Sequence, residues 1–183
     1  RQREYIAGRV LARELLDRIG VNAQTIASGP KREPLWPTGI VGSISHNERS
    51  CAVVVAQNSV VTSVGIDIET IGRIDRHLWA NLFTEEETEH LQQLEPAAQS
   101  RQATVFFSIK EAFYKYQYPI TQGWVGFRDV SVHQEDASSY RLTAQISDAT
   151  LASNVLALVE PVGADQVIAL VVDQAVPKRL DIN

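Results

Sequence analysis

The first candidate for chemistry is a pair of acidic residues in the segment Val64–Glu69. In a β-strand, residues two apart point to the same side, so Asp67 and Glu69 would share one face. Two close carboxylates repel each other, and a hard cation such as Mg²⁺, which prefers oxygen ligands, relieves that repulsion. The pattern predicts either a metal site or, since Asp-x-Glu is a common sequence, a half-exposed edge strand with a solvated acidic face.

A second candidate is the helical segment Phe107–Lys115, in which Glu111 and Lys115 are four residues apart. Residues at this spacing are neighbours on a helix surface, and Glu before Lys is the favourable order. One interpretation is a surface salt bridge worth about 0.3–0.5 kcal/mol. The other is a third carboxylate for the same metal, with Lys110 and Lys115 near an anionic substrate.

The third candidate is Gly42–His46, where two serines and a histidine end a predicted strand after a loop that carries Lys31 and Arg32. A single histidine is more often a structural hydrogen-bonding residue than a ligand. Adjacent strand residues point to opposite sides, so Ser45 and His46 do not make a nucleophile–base pair. The sequence also lacks the Gly-x-Ser-x-Gly turn, so a serine hydrolase is poorly supported.

Periodicity and turn residues predict the elements that must position these side chains. The predicted helices are Tyr5–Ile19, a helix from the capping box Thr84–Glu87 toward Leu94, and Gln102–Tyr118, with a break at Pro96–Ser100 and a stop at Pro119. The predicted strands are Gly39–His46, Cys51–Ala56, Val60–Glu69, Phe127–His133, Tyr140–Ile146, Val155–Glu160 and Val167–Asp173. This order predicts an α+β fold, because strands and helices do not alternate regularly along the chain as they do in a dinucleotide-binding domain.

Charge and composition limit the classes of partner. The 183 residues carry a net charge of −5, which excludes an overall basic surface for nucleic acid. Residues 1–49 hold eight Lys and Arg against five Asp and Glu, whereas the remainder carries a net charge of −8. The single cysteine and the strand-length apolar runs predict a cytoplasmic protein that does not span a membrane.

Taken together, three segments resemble the 4′-phosphopantetheinyl transferases: Trp36–His46, Val64–Glu69 and Phe107–Lys115. They are most similar to the monomeric, two-lobed class that activates siderophore, nonribosomal peptide and polyketide synthases. The resemblance implies two tandem, similar lobes, each a small and mainly antiparallel sheet packed against a helix. We place the first lobe at residues 1–63 and the second at residues 64–183, with the ligands in the cleft between them.

The resemblance also implies the reaction and its residues. The 4′-phosphopantetheine group of coenzyme A would move to a serine of an apo acyl or peptidyl carrier protein, with Mg²⁺ or Mn²⁺ as cofactor, and adenosine 3′,5′-bisphosphate would be released. The implied metal ligands are Asp67, Glu69 and Glu111, and the implied catalytic residues are Glu111, Lys110 and Lys115. The implied contacts to coenzyme A are Arg1, Arg9, Lys31, Arg32, Ser45, His46, Lys110 and Lys115.

Two alternatives remain beside this interpretation. A non-catalytic carrier-binding domain of the same fold would share the segments without the activity, and a metal-dependent nuclease would also gather acidic residues and a lysine. Residues between Arg73 and Leu94 are a hypothesis for part of the carrier-binding surface, in particular Trp79, Leu82 and Phe83. The alternative for these apolar side chains is that they fill the core of the second lobe.

Overall fold

The computed structural model describes residues 2–22, 25–144 and 155–173. Its N-terminal part consists of helix α1 (Gln2–Arg18), the paired short strands β1 (Ala27–Ser28) and β2 (Pro34–Leu35), and an antiparallel hairpin of β3 (Ile40–His46) and β4 (Cys51–Gln57). Helix α1 packs on this hairpin because its buried residues, Ala12 and Leu16, are four apart on one face.

The C-terminal part is an antiparallel five-stranded sheet that is packed against a long helix. In sheet order β5-β9-β8-β7-β6, its strands are β5 (Val64–Thr70), β9 (Gln166–Asp173), β8 (Val155–Val162), β7 (Ser139–Ala144) and β6 (Val130–Gln134). Between β5 and β6 the chain forms α2 (Trp79–Leu82), α3 (Glu85–Gln92) and α4 (Pro96–Thr121). Helix α4 crosses β5 and β9. The predicted α+β fold is confirmed, and the proposed boundary at residue 63 falls just before β5.

Helix α4 is longer than its sequence pattern predicts. The predicted break at Pro96–Ser100 is wrong, because Pro96 opens the helix at a position where its missing N–H is not needed. The predicted stop at Pro119 is also wrong, since this proline lies inside the last turn. The helix is capped by Gln122, which adopts the left-handed conformation and donates its N–H to the Tyr118 carbonyl.

The hairpin covers the free edge of the five-stranded sheet. Strand β5 lies at that edge, and the β3 hydroxyls of Ser43 and Ser45 accept hydrogen bonds from the Ile66 N–H at 3.1 Å and the Ile68 N–H at 3.3 Å. Buried backbone donors need such partners, and here serine side chains supply what a neighbouring strand would. On the face of β5 that points away from α4, Ile66 and Ile68 pack against Ala52 of β4.

The main core lies between α4 and the five-stranded sheet. Its largest fully buried side chains come from the helices and from the sheet, and they include Phe83, Leu91, Ile109, Phe113, Tyr116, Val130, Val167 and Val171. This core packs α4 against β5, the strand that carries the acidic pair. Over the described ranges, no helix is long and apolar enough to cross a membrane.

Candidate active site

Asp67 is the carboxylate around which the candidate site is built. It is 3% exposed, and its Oδ1 atom accepts hydrogen bonds from Ser45 Oγ at 2.8 Å and from Lys115 Nζ at 2.7 Å. Its Oδ2 atom accepts a hydrogen bond from Ser108 Oγ at 3.0 Å. A buried ion without partners is very costly, so these donors stabilise the carboxylate. The contacts join β3, β5 and α4 at one point.

One face of α4 is turned toward this carboxylate. Ser108, Glu111 and Lys115 are separated by three and four residues, so they lie on the same side of the helix. The Lys115 ammonium also donates to the Ile66 carbonyl at 3.0 Å, and its side chain is 26% exposed. Lys115 therefore links the buried Asp67 to the solvent-accessible side of the site.

Gly65 allows α4 to lie directly on β5. A Cβ atom at this position would collide with the Ala112 carbonyl oxygen and would lie 2.8 Å from the Tyr116 backbone nitrogen. Both neighbours are backbone atoms of α4, which cannot rotate away as a side chain can. Gly65 precedes Asp67 by two residues and shares its face, so the close approach brings the α4 side chains within reach of Asp67.

The carboxylates of Asp67, Glu69 and Glu111 are close enough to influence one another. Burial, and next the charge of Asp67, raise the pKa of Glu69 to about 7, against the opposing effects of Arg73 and Lys115. Burial and the charge of Asp67 also raise the pKa of Glu111. As the side chains stand, the described ranges contain no group of three or more His, Cys, Asp or Glu residues that could hold a metal ion.

A cleft of about 590 Å³ lies beside these carboxylates, between the hairpin of the N-terminal part and α4. Its α4 side is formed by Glu111, Tyr114, Lys115 and Tyr118, and the opposite side includes the predicted residues Lys31 and Arg32. The Lys31 ammonium lies 5.2 Å from the centre of the Tyr118 ring, a distance suited to a cation–π contact. The cleft thus combines basic groups, apolar walls and one acidic residue of the predicted site.

The other predicted contacts to coenzyme A are placed differently. Arg9 donates to Ser28 Oγ at 3.0 Å and does not line the cleft. His46 is exposed at the end of β3, with Nδ1 3.5 Å from a Glu4 carboxylate oxygen. The Ser45 hydroxyl is buried beneath Asp67, so it orients the carboxylate instead of facing the cleft. Arg1 lies outside the described residues.

Lys110 is directed away from Asp67. Its side chain is 1% exposed, and its ammonium donates to Glu87 Oε2 at 2.6 Å, the Leu82 carbonyl at 3.0 Å and the Phe127 carbonyl at 2.8 Å. Burial lowers the pKa of Lys110, and the Glu87 carboxylate opposes this change. The structure does not bring Lys110 to the acidic cluster, so we leave it out of the proposed phosphate contacts.

The apolar residues offered as a carrier-binding surface are mostly internal. Trp79 is 5% exposed and Phe83 is 1% exposed, and both belong to the main core. Leu82 is half-buried and packs against the same core. The surface hypothesis for Trp79 and Phe83 is therefore wrong, because their rings fill the space between α2 and α4.

Sequence reasoning missed several residues that shape the site. Ser108 lies in a quoted segment, but nothing in the sequence shows that its hydroxyl reaches Asp67 across 41 positions. Tyr118 and Trp36 were not expected to line the cleft. Glu87 was recognised only as part of a capping box, which the structure confirms, and its partnership with Lys110 had no sequence signal.

Both parts of the fold match models of one protein family. Residues 1–56 match the 4′-phosphopantetheinyl transferase N-terminal domain, and residues 63–171 match the 4′-phosphopantetheinyl transferase superfamily. These two matches define the class of protein as a family of group-transfer enzymes. Its antiparallel α+β fold, with acidic residues and a lysine beside a cleft between the two lobes, is the one described above. The chain belongs to the 4′-phosphopantetheinyl transferase superfamily.

Curated relatives agree with this assignment. The chain is 35% identical over 139 residues to the 4′-phosphopantetheinyl transferase PptT of Mycobacterium tuberculosis, a match that covers 76% of this chain and 61% of PptT. It is 32% identical over 144 residues to enterobactin synthase component D of Escherichia coli K12, covering 77% of this chain and 67% of the relative. The chain thus spans about three fifths of the length of PptT.

A solved structure shows a weaker likeness. The holo-(acyl-carrier-protein) synthase of Bacillus anthracis, solved in complex with CoA (3′,5′-ADP), is 24% identical in sequence and has a TM-score of 0.48. The match covers 62% of this chain and 94% of that one. The family assignment rests on the sequence comparisons, not on this likeness.

Proposed function

We propose that the chain transfers the 4′-phosphopantetheine group of coenzyme A to a serine of an apo carrier protein. The serine oxygen forms a bond to the phosphorus next to the pantetheine, and the bond from that phosphorus to the bridging oxygen of the pyrophosphate breaks. Adenosine 3′,5′-bisphosphate leaves, and the serine proton passes to a base. The observation that carries this proposal is the hydrogen-bonded Asp67 beside a cleft that is lined by Glu111 and Lys115.

Asp67, Glu69 and Glu111 are the proposed ligands of a divalent cation. Their oxygen chemistry and their mutual repulsion fit Mg²⁺ or Mn²⁺. Glu69 and Glu111 must turn toward Asp67, because their present positions form no metal-holding group among the described residues. When bound, the cation neutralises charge on the pyrophosphate oxygens.

The chain's own side chains have distinct proposed roles. Lys31 and Arg32 attract the phosphates of coenzyme A from one side of the cleft, and Lys115 faces them from the other. Glu111 accepts the serine proton, directly or through water, and burial of this carboxyl raises its pKa. Ser45 and Ser108 orient Asp67. Arg9 and His46 stay proposed contacts to coenzyme A from positions outside the lining of the cleft.

The partner is proposed from the relatives. PptT is a 4′-phosphopantetheinyl transferase and component D belongs to a synthase of enterobactin, so we propose acyl or peptidyl carriers of such biosynthetic systems as substrates. Among the residues that the structure describes, the two serines that contact Asp67, Ser45 and Ser108, are buried and donate to its carboxylate, which fits a nucleophile supplied by a second protein. We further propose a cytoplasmic monomer without nucleic-acid or membrane partners.

The test is the intact mass of a panel of apo carriers after incubation with coenzyme A and Mg²⁺. We expect one carrier or more to gain the mass of the phosphopantetheine group. Glu111→Gln should lower the transfer rate by about 10²–10⁴-fold, the range for loss of a general base. The matched control is Glu89→Gln on the exposed face of α3, which should transfer like the parent.

Two results would contradict the proposed transfer, and a third would contradict the role of Glu111. Tight carrier binding without any mass gain would favour the non-catalytic carrier-binding domain. Cleavage of plasmid DNA in Mg²⁺ without carrier modification would favour the nuclease. Full activity of Glu111→Gln would remove Glu111 from the reaction, although not the assignment of the transfer itself.

A further inference from the structure

The buried ammonium of Lys110 has no hydrogen left for a substrate. A lysine ammonium carries three protons, and three acceptors surround this one: Glu87 Oε2, the Leu82 carbonyl and the Phe127 carbonyl, at distances of 2.6 to 3.0 Å. The side chain is 1% exposed. A phosphate contact would require the ammonium to release at least one of these acceptors, and a move toward the cleft would separate it from the buried Glu87 carboxylate, which is a costly change.

Glu87 connects this ion pair to the start of its own helix, α3, and to strand β6. Its Oε2 atom also accepts the N–H of Thr84 at 2.8 Å, which begins α3, and its Oε1 atom accepts the N–H of Val132 in β6 at 2.9 Å. The side chain of Glu87 is 3% exposed. Both the ammonium and the carboxylate of this ion pair thus have additional hydrogen-bond partners. The pair connects α3, α4 and β6 with the chain that precedes β6.

That preceding chain, residues 123–129, is here called the wall segment. The Phe127 carbonyl is held by Lys110, and the Phe127 ring stacks on Phe107 of α4 with centroids 5.6 Å apart. The ring of Trp124, which is 78% exposed, packs against Tyr114 at 5.4 Å. The wall segment is therefore attached to α4 by two ring contacts and by two hydrogen bonds. One hydrogen bond runs from Lys110 to the Phe127 carbonyl, and the other runs from Gln117 Nε2 to the Gly123 carbonyl at 3.3 Å.

The wall segment and α4 enclose a cavity of about 160 Å³. Glu111 and Tyr114 line both this cavity and the larger cleft, so the cavity lies immediately beside the proposed proton acceptor. On the opposite side are Trp124 and Phe127. The position of the wall segment thus determines how much room there is next to Glu111.

We propose that Lys110 is a positioning residue, whose buried pair with Glu87 holds the wall segment against α4 beside Glu111, and that it makes no contact with the phosphates of coenzyme A. This inference rests on the proposed function, in which Glu111 lies at the reaction centre. The two adjacent residues thus have different roles. Lys110 holds the wall segment in place, and Glu111 faces the substrate.

The test compares the parent with Lys110→Met, Glu87→Gln and the double variant. The double variant removes both charges, so no unpaired ion stays buried and folding is favoured over either single variant. In the absence of substrate, we expect hydrogen–deuterium exchange to rise in residues 123–129 of the double variant and to stay unchanged in β8 and β9. We expect kcat to fall about tenfold and the KM for coenzyme A to stay within about twofold.

A direct phosphate contact predicts a different pattern. The loss of a charge-assisted hydrogen bond would raise the KM for coenzyme A by about tenfold or more in Lys110→Met and in the double variant alike. Unchanged exchange in the wall segment together with that KM increase would overturn the proposal. If the parent transfers nothing at all, the proposed function fails, whereas the exchange measurement still decides whether the pair holds the wall segment.

A measurement on the parent protein avoids the question of folding. The Nζ resonance of Lys110 can be followed by ¹⁵N nuclear magnetic resonance, because buried, hydrogen-bonded ammonium protons exchange slowly. The proposal predicts that saturating coenzyme A shifts the Lys115 resonance and leaves the Lys110 resonance in place. A shift of Lys110 equal to that of Lys115 would show that Lys110 meets the phosphates, and would overturn the proposal.

Discussion

Gly65→Ala is the substitution that most directly tests how the site is assembled. Ordinary contacts of a Cβ atom are 3.4–4 Å, whereas the new methyl group would lie 2.8 Å from the Tyr116 nitrogen and closer still to the Ala112 oxygen. Since both are backbone atoms, α4 must move away from β5. Overpacking of a core costs typically about 1–3 kcal/mol, and this backbone collision belongs at the upper end. For a chain of this size, about 3 kcal/mol corresponds to a fall in Tm of about 6–12 °C.

The same displacement should impair the reaction more than the fold. Lys115 and Ser108 reach Asp67 across the interface that Gly65 keeps close, at 2.7 and 3.0 Å. A misplacement of about 1 Å can cost about 10²-fold in rate, so we expect such a loss in the carrier mass assay at a temperature where the variant is folded. The control is Glu89→Gln on the exposed face of α3, which should match the parent in Tm and in turnover. Parent-like Tm and turnover of Gly65→Ala would refute the close-packing argument.

Three further predictions concern single groups. Ser108→Ala removes a donor to a buried carboxylate, so the free energy of unfolding in urea should fall by about 1.5–3 kcal/mol, and an unchanged value would refute the Asp67 contact. Glu69 has a folded pKa of about 7 against an ordinary value of 4.5, so the folded state binds more protons between these values. The stability of metal-free protein should therefore fall as pH rises from 4.5 to 7, and Glu69→Gln should flatten this slope in denaturation curves. Lys31→Met should raise the KM for coenzyme A with little change in kcat, whereas an unchanged KM would remove Lys31 from the cleft contacts.

The acidic strand was predictable because its pattern is local. Alternation places Asp67 and Glu69 on the face opposite to Ile66 and Ile68, and the structure shows the isoleucines packed on the hairpin while Asp67 faces α4. The capping box at Thr84 was equally predictable, because its two hydrogen bonds join residues three apart. Such contacts depend only on the geometry of one element.

The direction of Lys110 was not predictable, for a physical reason. Consecutive helix residues point about 100° apart, so the sequence shows that Lys110 and Glu111 diverge but not which of them faces the strand. The choice depends on how the apolar residues of α4 pack against the sheet and on the presence of Glu87, 23 positions earlier. The Ser45 contact to Asp67 has the same origin, since it spans 22 positions between two separate elements.

The central claim is that Asp67 and the cleft beside it bind a divalent cation and the pyrophosphate of coenzyme A together. Electron paramagnetic resonance of Mn²⁺ bound to the protein with coenzyme A tests it most directly, because ³¹P nuclei close to the metal give a hyperfine coupling. The account predicts this coupling in the parent and its loss in Asp67→Asn. Mn²⁺ that binds the parent without any ³¹P coupling, or an undiminished coupling in Asp67→Asn, would contradict the claim.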